Sequence, residues 1–250
     1  MERSRIEWTD HTFNPWWGCT RVSPGCDNCY AQALDKRVGG QHWGPRARMR
    51  LMSAQYWKQP RKWAKKGAAR VFCASMADVF DKRAPATERV KLWALIRETP
   101  ELEWLLLTKR PQNMSRFLPC DWPLGNVRLG VTTENMEEVE RRAPVLLKLP
   151  HRLAPFVSAE PLLESLDLSG YLGDVGWVIA GGESGPRFRT VQAGWLLSLR
   201  DQCLDAGVPF FFKQWGGRTP KAGGHELEGQ AWRQFPARDR RQADDDHFSA

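Results

Sequence analysis

The chain reads as an α/β protein whose parallel strands curl into a barrel, and three observations carry that expectation. Six short, nearly continuous apolar runs recur along the sequence, helical segments separate them, and every run ends in polar side chains. Runs rich in β-branched and aromatic residues suit strands buried on both faces, as in a parallel sheet. Strand and helix alternation fits an open doubly wound sheet or a barrel. The polar residues at the strand ends favour the barrel, because there those ends converge on one mouth.

In chain order the runs are VFCAS (71–75), EWLLLT (103–108), VRLGVTTE (127–134), LAPFVSAE (153–160), GWVIAGGES (176–184) and VPFFFKQW (208–215). Between them, 87–99 carries Val90, Trp93, Ala94 and Ile96 at helical spacing, and 134–149 is a second helix expected to break near Pro144. A third helix at 193–207 should stop at Gly207 and Pro209. The polar groups at the strand ends are Ser75, Met76 and Asp78; Thr108, Lys109 and Arg110; Thr132, Thr133 and Glu134; Ser158 and Glu160; Gly181, Gly182, Glu183 and Ser184; Lys213 and Gln214.

Residues 1–238 are expected to form a single barrel domain, and 239–250 a polar tail. Segment 36–70, dense in Arg and Lys with Trp43, Trp57 and Trp63 interleaved, reads as an insertion near the mouth. The absence of a long apolar run or a signal-like start predicts a soluble, cytoplasmic protein without membrane contact. A balance of 37 Lys and Arg against 29 Asp and Glu, net +8, suits a nucleic-acid partner as well as plain solubility. Of the thirteen tryptophans, Trp93, Trp104, Trp177 and Trp195 sit in apolar periodic segments and read as core.

Three of the six cysteines, Cys19, Cys26 and Cys29, fall in the pattern C-x6-C-x2-C within "GCTRVSPGCDNCY". In a reducing compartment such clustering favours metal over disulfides. Two chemistries remain open on spacing alone. One is a structural zinc site with His11 as fourth ligand, which would suit a non-catalytic nucleic-acid-binding protein. The other is a [4Fe-4S] cluster with one iron left free for a substrate or cofactor.

"FNPWWGCTRVSPGCDNCYA", "LLLTKRPQN", "LGVTTEN", "SAEPLL", "GGESGPRFR" and "VPFFFKQWG" together resemble the phage-associated branch of radical S-adenosylmethionine (SAM) enzymes, over about residues 5–236. The loop departs from the C-x3-C-x2-C usual in that superfamily. The resemblance implies a partial (β/α)6 barrel of six or seven parallel strands, with Cys19, Cys26 and Cys29 ligating a [4Fe-4S] cluster that binds SAM. It further implies an electron donor of flavodoxin or ferredoxin type and a phage- or prophage-encoded protein in a bacterial host.

On that reading Ser75, Met76 and Asp78 are candidates for the SAM amino group, with a strand-end cap as the plain alternative. Thr108, Lys109, Thr132 and Glu134 are candidates for the ribose or the SAM carboxylate, while Lys109 and Arg110 equally suit a substrate phosphate. Gly181, Gly182 and Glu183 would line the cofactor site; a tight turn explains the glycines as well. Glu160 and Lys213 are catalytic candidates. Cys73 joins them as a hydrogen-atom donor if it shares the inward face of Ser75, with inert packing as the alternative. Lys58, Arg61, Lys62, Arg110 and Arg187 are assigned to nucleic acid. The expected reaction modifies a DNA base, by rearrangement of an amino-acid-modified thymine or by lesion repair similar to photoproduct lyases.

Overall fold

The structure, a computed structural model, describes residues 4–237; the tail expected at 239–250 lies outside them. Seven strands follow one another across a single sheet: β1 (His11–Thr12), β2 (Ala69–Cys73), β3 (Leu102–Thr108), β4 (Val127–Thr132), β5 (Phe156–Ala159), β6 (Trp177–Gly181) and β7 (Phe210–Gln214). Every neighbouring pair is parallel. A doubly wound sheet needs its strand order to reverse, and here it never does. Successive crossovers therefore stack helices on one face and leave the other concave. Among the described residues no pairing joins β7 to β1, so the sheet is an open half barrel.

Helices α1 (Tyr30–Arg37) and α2 (Gln59–Ala64) lie between β1 and β2, and α3 (Ala86–Arg97) follows β2. Next come α4 (Met114–Phe117), α5 (Met136–Leu147) and, before β7, α6 (Ala193–Asp205). Strand alternation sorts the core. Val71, Trp104, Leu106 and Leu129 pack on Leu92, Trp93 and Ile96 of α3. Val157, Val178, Phe210 and Phe212 pack on Val139 and Ala143 of α5 and on Leu196, Leu199 and Cys203 of α6.

The intervening residues Phe72, Leu105, Phe156, Trp177, Ile179 and Phe211 gather with Trp8 on the concave face as an aromatic floor. The Trp8 and Phe72 rings stand 4.5 Å apart, and Trp177 meets Phe211 edge-on at 6.2 Å. Beneath it Glu103 pairs with Arg128 at 2.7 Å and Arg70 at 3.2 Å. Gly130 on β4 makes the floor possible, since a Cβ there would overlap the Phe156 ring. Gly130→Ala should therefore destabilise the fold by about 1–3 kcal/mol through overpacking. Urea denaturation reads this directly, and an unchanged midpoint would mean that the ring moves aside freely.

Several expectations shift. β1 is two residues long and lies in no apolar run. The helix expected to break at Pro144 instead runs on to Leu147, held by the buried face of Val139, Arg142, Ala143 and Leu146 and capped by Asn135, whose side chain accepts from Glu138 N at 3.0 Å. Val90 points outward, 68% exposed, so the buried stripe of α3 is Leu92, Trp93, Leu95 and Ile96. The stop after α6 is as read: Gly207 takes φ +66.

Candidate active site at the barrel mouth

The cysteine-bearing segment lies across the C-terminal ends of the strands and is clamped there from several sides. Gly18 N donates to Met76 O after β2 at 3.0 Å. After β3, buried Arg110 donates through Nη2 to Thr20 O (2.7 Å) and Thr20 Oγ1 (2.8 Å), and through Nη1 to Asp78 (2.8 Å) and Cys19 Sγ (3.6 Å). After β4, Glu134 accepts from Gly25 N at 3.1 Å, and a Cβ on Gly25 would crowd that carboxylate. After β6, Glu183 accepts from Asn28 Nδ2 (2.9 Å) and from Arg189 (2.6 Å), which also donates to Pro24 O (2.9 Å).

This arrangement redistributes the roles read from sequence. The Asp78 carboxylate already accepts from Thr108 Oγ1 (2.7 and 2.8 Å), Phe80 N (2.9 Å) and Arg110. It positions the loop and has little capacity left for a SAM ammonium. Arg110, enclosed between Asp78, Asp81 and Thr20, is no phosphate ligand. Glu134 and Glu183 are loop clamps. Burial opposes ionisation of Glu134, but the Lys109 and Arg142 charges hold its carboxyl below the usual range. Gly182 is a packing glycine, because any Cβ would overlap Trp215 O; Gly181 has ordinary space beside Glu160 and Lys213. Ser75 Oγ and Met76 N are held by Asn14, a residue of the "FNPWW" stretch that sequence reasoning passed over. Thr132 is buried, and its carbonyl accepts from Arg142 at 2.6 Å.

All three loop thiols are free. Among the described residues no three His, Cys, Asp or Glu side chains gather at metal-holding distance. The donor chemistry nevertheless fits a thiolate-bound cluster, since positive charge and N–H groups are aimed at sulfur. Burial pushes Cys19 up to about 12, while the Arg110 guanidinium pulls the other way. Burial likewise raises Cys29, against the Ala31 and Gln32 amides at the start of α1 and the Lys109 charge. A bound cation would replace those protons. His11, the fourth ligand of the zinc alternative, lies on β1 with its ring stacked on Trp63 at 4.3 Å.

Inside the mouth, Tyr30 hangs half exposed from the start of α1, and its hydroxyl donates to Ser75 O at 3.1 Å. Enclosure of that hydroxyl, with Cys29 and Glu160 nearby, raises its pKa. Tyr30 follows the last cysteine directly, which was the available signal for it. Opposite, Lys213 Nζ pairs with Glu160 Oε2 at 2.7 Å. Glu160 Oε1, Ser158 Oγ and Thr133 Oγ1 are buried without partners. Unpaired buried polar atoms are costly, and these three belong to the C-terminal ends of β4 and β5.

Other candidates stand elsewhere. Cys73 belongs to the helix-side cluster with Val71 and Trp93, fully buried, and burial raises its thiol; it packs rather than facing the concave side. Lys58, Arg61 and Lys62 are exposed around α2, whose Trp63 packs with Tyr56 and Trp57 against the helix-side core, and Arg61 pairs with Glu98 beyond α3. The aromatics of 56–63 thus serve packing. Arg187 is exposed at the rim, its carbonyl accepting from Asn28.

Fold and site together define a parallel α/β half barrel with a cysteine loop clamped over its mouth. The chain belongs to the family described as "Protein of unknown function (DUF5131)", whose model matches residues 3–236. Among solved structures, it is similar to a spore photoproduct lyase variant with dinucleoside spore photoproduct, at TM-score 0.53 and 11% identity, covering 87% of this chain and 78% of that one. Spore photoproduct lyase complexed with dinucleoside spore photoproduct gives 0.52 at 10% identity with the same coverage. A further variant with bound AdoMet and the dinucleoside gives 0.52 at 11%, again over 87% and 78%. No curated protein matches in sequence. No helix among the described residues is long and apolar enough to cross a membrane.

Proposed function

We propose that this chain is a radical SAM enzyme acting on an altered pyrimidine in DNA. The observation that carries the reading is a loop of three free thiols, held by Arg110, Glu134 and Glu183 over the mouth of a parallel half barrel. Cys19, Cys26 and Cys29 would hold the cluster and leave one iron for SAM. When bound, the two together supply a 5′-deoxyadenosyl radical after one-electron cleavage of the sulfonium.

The chain's own residues then have three tasks. The aromatic floor of Phe156, Trp177 and Phe211 keeps water from the closed end of the barrel. Lys213, with the unpaired oxygen of Glu160 and the Ser158 hydroxyl, offers donors and acceptors to a polar substrate edge. The clamped loop fixes the thiols relative to that edge. A base in duplex DNA must be flipped out of the stack to enter.

The likeness to spore photoproduct lyase weighs toward lesion repair. A second reading, rearrangement of an amino-acid-modified thymine in phage DNA, is favoured by the Glu160–Lys213 pair, whose opposite charges complement a zwitterionic adduct. The test is anaerobic reconstitution with iron and sulfide, then SAM, reductant and three DNA substrates: ultraviolet-damaged, adduct-bearing and unmodified. Digestion and mass spectrometry should show a restored base or an isomer alongside 5′-deoxyadenosine. Stoichiometric zinc with no SAM cleavage would overturn the enzymatic reading; cleavage with every nucleoside unchanged would overturn the substrate.

A further inference from the structure

An electron added to a thiolate-held cluster and a proton lost from a thiol have the same electrostatic consequence, one more negative charge at the sulfur. Groups that oppose the second therefore oppose the first. Around Cys19 those groups are named by the structure. Burial, Asp78 and Asp81 disfavour the Cys19 thiolate, and the Arg110 guanidinium favours it. Cys29 instead meets the neutral Ala31 and Gln32 amides, with the Lys109 charge a weaker influence.

The guanidinium has no freedom to turn. Nη1 is shared between Asp78 Oδ2 (2.8 Å) and Cys19 Sγ (3.6 Å), and Nη2 among Thr20 O (2.7 Å), Thr20 Oγ1 (2.8 Å) and Asp81 Oδ2 (3.5 Å). Arg110, Asp78 and Asp81 are each 5% exposed or less, so water screens these charges weakly. Two acids thus surround one guanidinium. Asp78 suffices to hold it, being fixed itself by Thr108 Oγ1 and Phe80 N. Asp81 stands further off, accepts from Arg83 N at 2.9 Å and from Thr20 Oγ1 at 3.4 Å, and leaves a second negative charge near the thiol. Half-buried Arg83 lies 3.5 Å from that carboxylate and compensates it only in part.

We propose that Arg110 and Asp81 set the reduction potential of the cluster through Cys19. The N–H···S contact from Arg110 favours the reduced state, and the Asp81 carboxylate holds the potential down. This rests on the radical reading, since only a redox cluster gives these charges an electron to act on. Both are positioning residues that act through a ligand sulfur. A low potential is what one-electron cleavage of a sulfonium asks of its donor.

The test is a redox titration of the reconstituted full chain without SAM, followed by electron paramagnetic resonance, on the wild type, Asp81→Asn, Arg110→Lys and Asp121→Asn. Asparagine at 81 keeps an acceptor for Arg83 N and removes the charge. The reduced-to-oxidised ratio at a fixed solution potential should then rise roughly tenfold, about 59 mV for one electron. Lysine at 110 keeps a cation for Asp78 but not the fork that reaches Cys19 Sγ, so the ratio should fall. Asp121 makes the same charge change in an exposed pair with Arg97 and should leave the potential unmoved. An unmoved potential in Asp81→Asn overturns the proposal, as does an equal shift in Asp121→Asn. So do shifts of one sign in both buried variants, which would report looser packing and water at the cluster. If Arg110→Lys holds too little iron to titrate, Asp81→Asn decides alone. A wild type that takes up zinc, or holds iron without a signal on reduction, overturns the radical reading instead.

Discussion

Arg110→Met should destabilise the protein by about 3–5 kcal/mol and empty the cysteine loop of iron. Arg110 is 5% exposed and shares its guanidinium among Asp78, Asp81 and Thr20. Methionine fills similar space but leaves the buried Asp78 carboxylate without its cation, and Asp81 with Arg83 at 3.5 Å. Breaking a buried pair from one side costs that much because the remaining charge is neither hydrated nor paired. Asp78 retains Thr108 Oγ1 and Phe80 N, which softens the loss without neutralising the charge. The loop meanwhile loses two bonds to Thr20 and the contact to Cys19 Sγ. Two measurements check the account: the urea midpoint of the metal-free protein, and iron per chain after reconstitution. Full iron loading with a loss below about 1 kcal/mol would mean that the loop is held without Arg110. Lowered iron at unchanged stability would leave the anchoring role intact and remove the buried-charge argument.

The same residue shows where sequence reading succeeded and where it stopped. Six of the seven strands were legible because each is buried on both faces, so its hydrophobic run is nearly continuous from end to end. β1 escaped because two residues cannot display a period, and its place in the sheet comes from pairing with Val71 and Phe72. The gathering of polar groups at one mouth was also legible, since strand ends in a parallel barrel must converge. Their partners were not. Arg110, Glu134 and Glu183 read as free ligands until the loop at 18–30 came to lie against them, an encounter between segments 90 to 155 residues apart in sequence that no local pattern encodes. Cys73 was misplaced by a short count: alternation was carried from Cys73 to Ser75, past the last paired residue of β2, where it no longer holds. Segment 36–70 left a choice that its pattern does not make, because interleaved Trp and Arg look alike whether the rings stack on bases or, as Trp57 and Trp63 do here, cover a core.

Arg142→Met should give the second large effect, again about 3–5 kcal/mol at neutral pH, and the loss should shrink in acid. Arg142 is 1% exposed and bridges Glu134 at 2.9 Å and Glu138 at 2.8 Å, both almost wholly buried. In the wild type the folded-state pKa of Glu134 is depressed. Its ionisation therefore contributes stability that is fully present above the unfolded carboxyl value, near 4.3 as an approximate reference, and is lost as pH falls through the lower folded value. Without Arg142, burial acts on Glu134 against Lys109 and the hydrogen bonds from Ser23 and Gly25 alone, so the carboxyl takes up a proton at higher pH than in the wild type and sheds its less compensated charge. The difference between variant and wild type should accordingly be largest at pH 7 and smaller near pH 4, both read from urea titrations in the same salt. Glu134 also holds Gly25, so protonation on the variant's acid side should loosen the loop between Cys19 and Cys26 and speed amide hydrogen exchange there. A difference that stays constant from pH 7 to pH 4 would place the cost of the substitution in lost packing and hydrogen bonds to the Thr132 carbonyl, and would remove the electrostatic link between α5 and the cysteine loop.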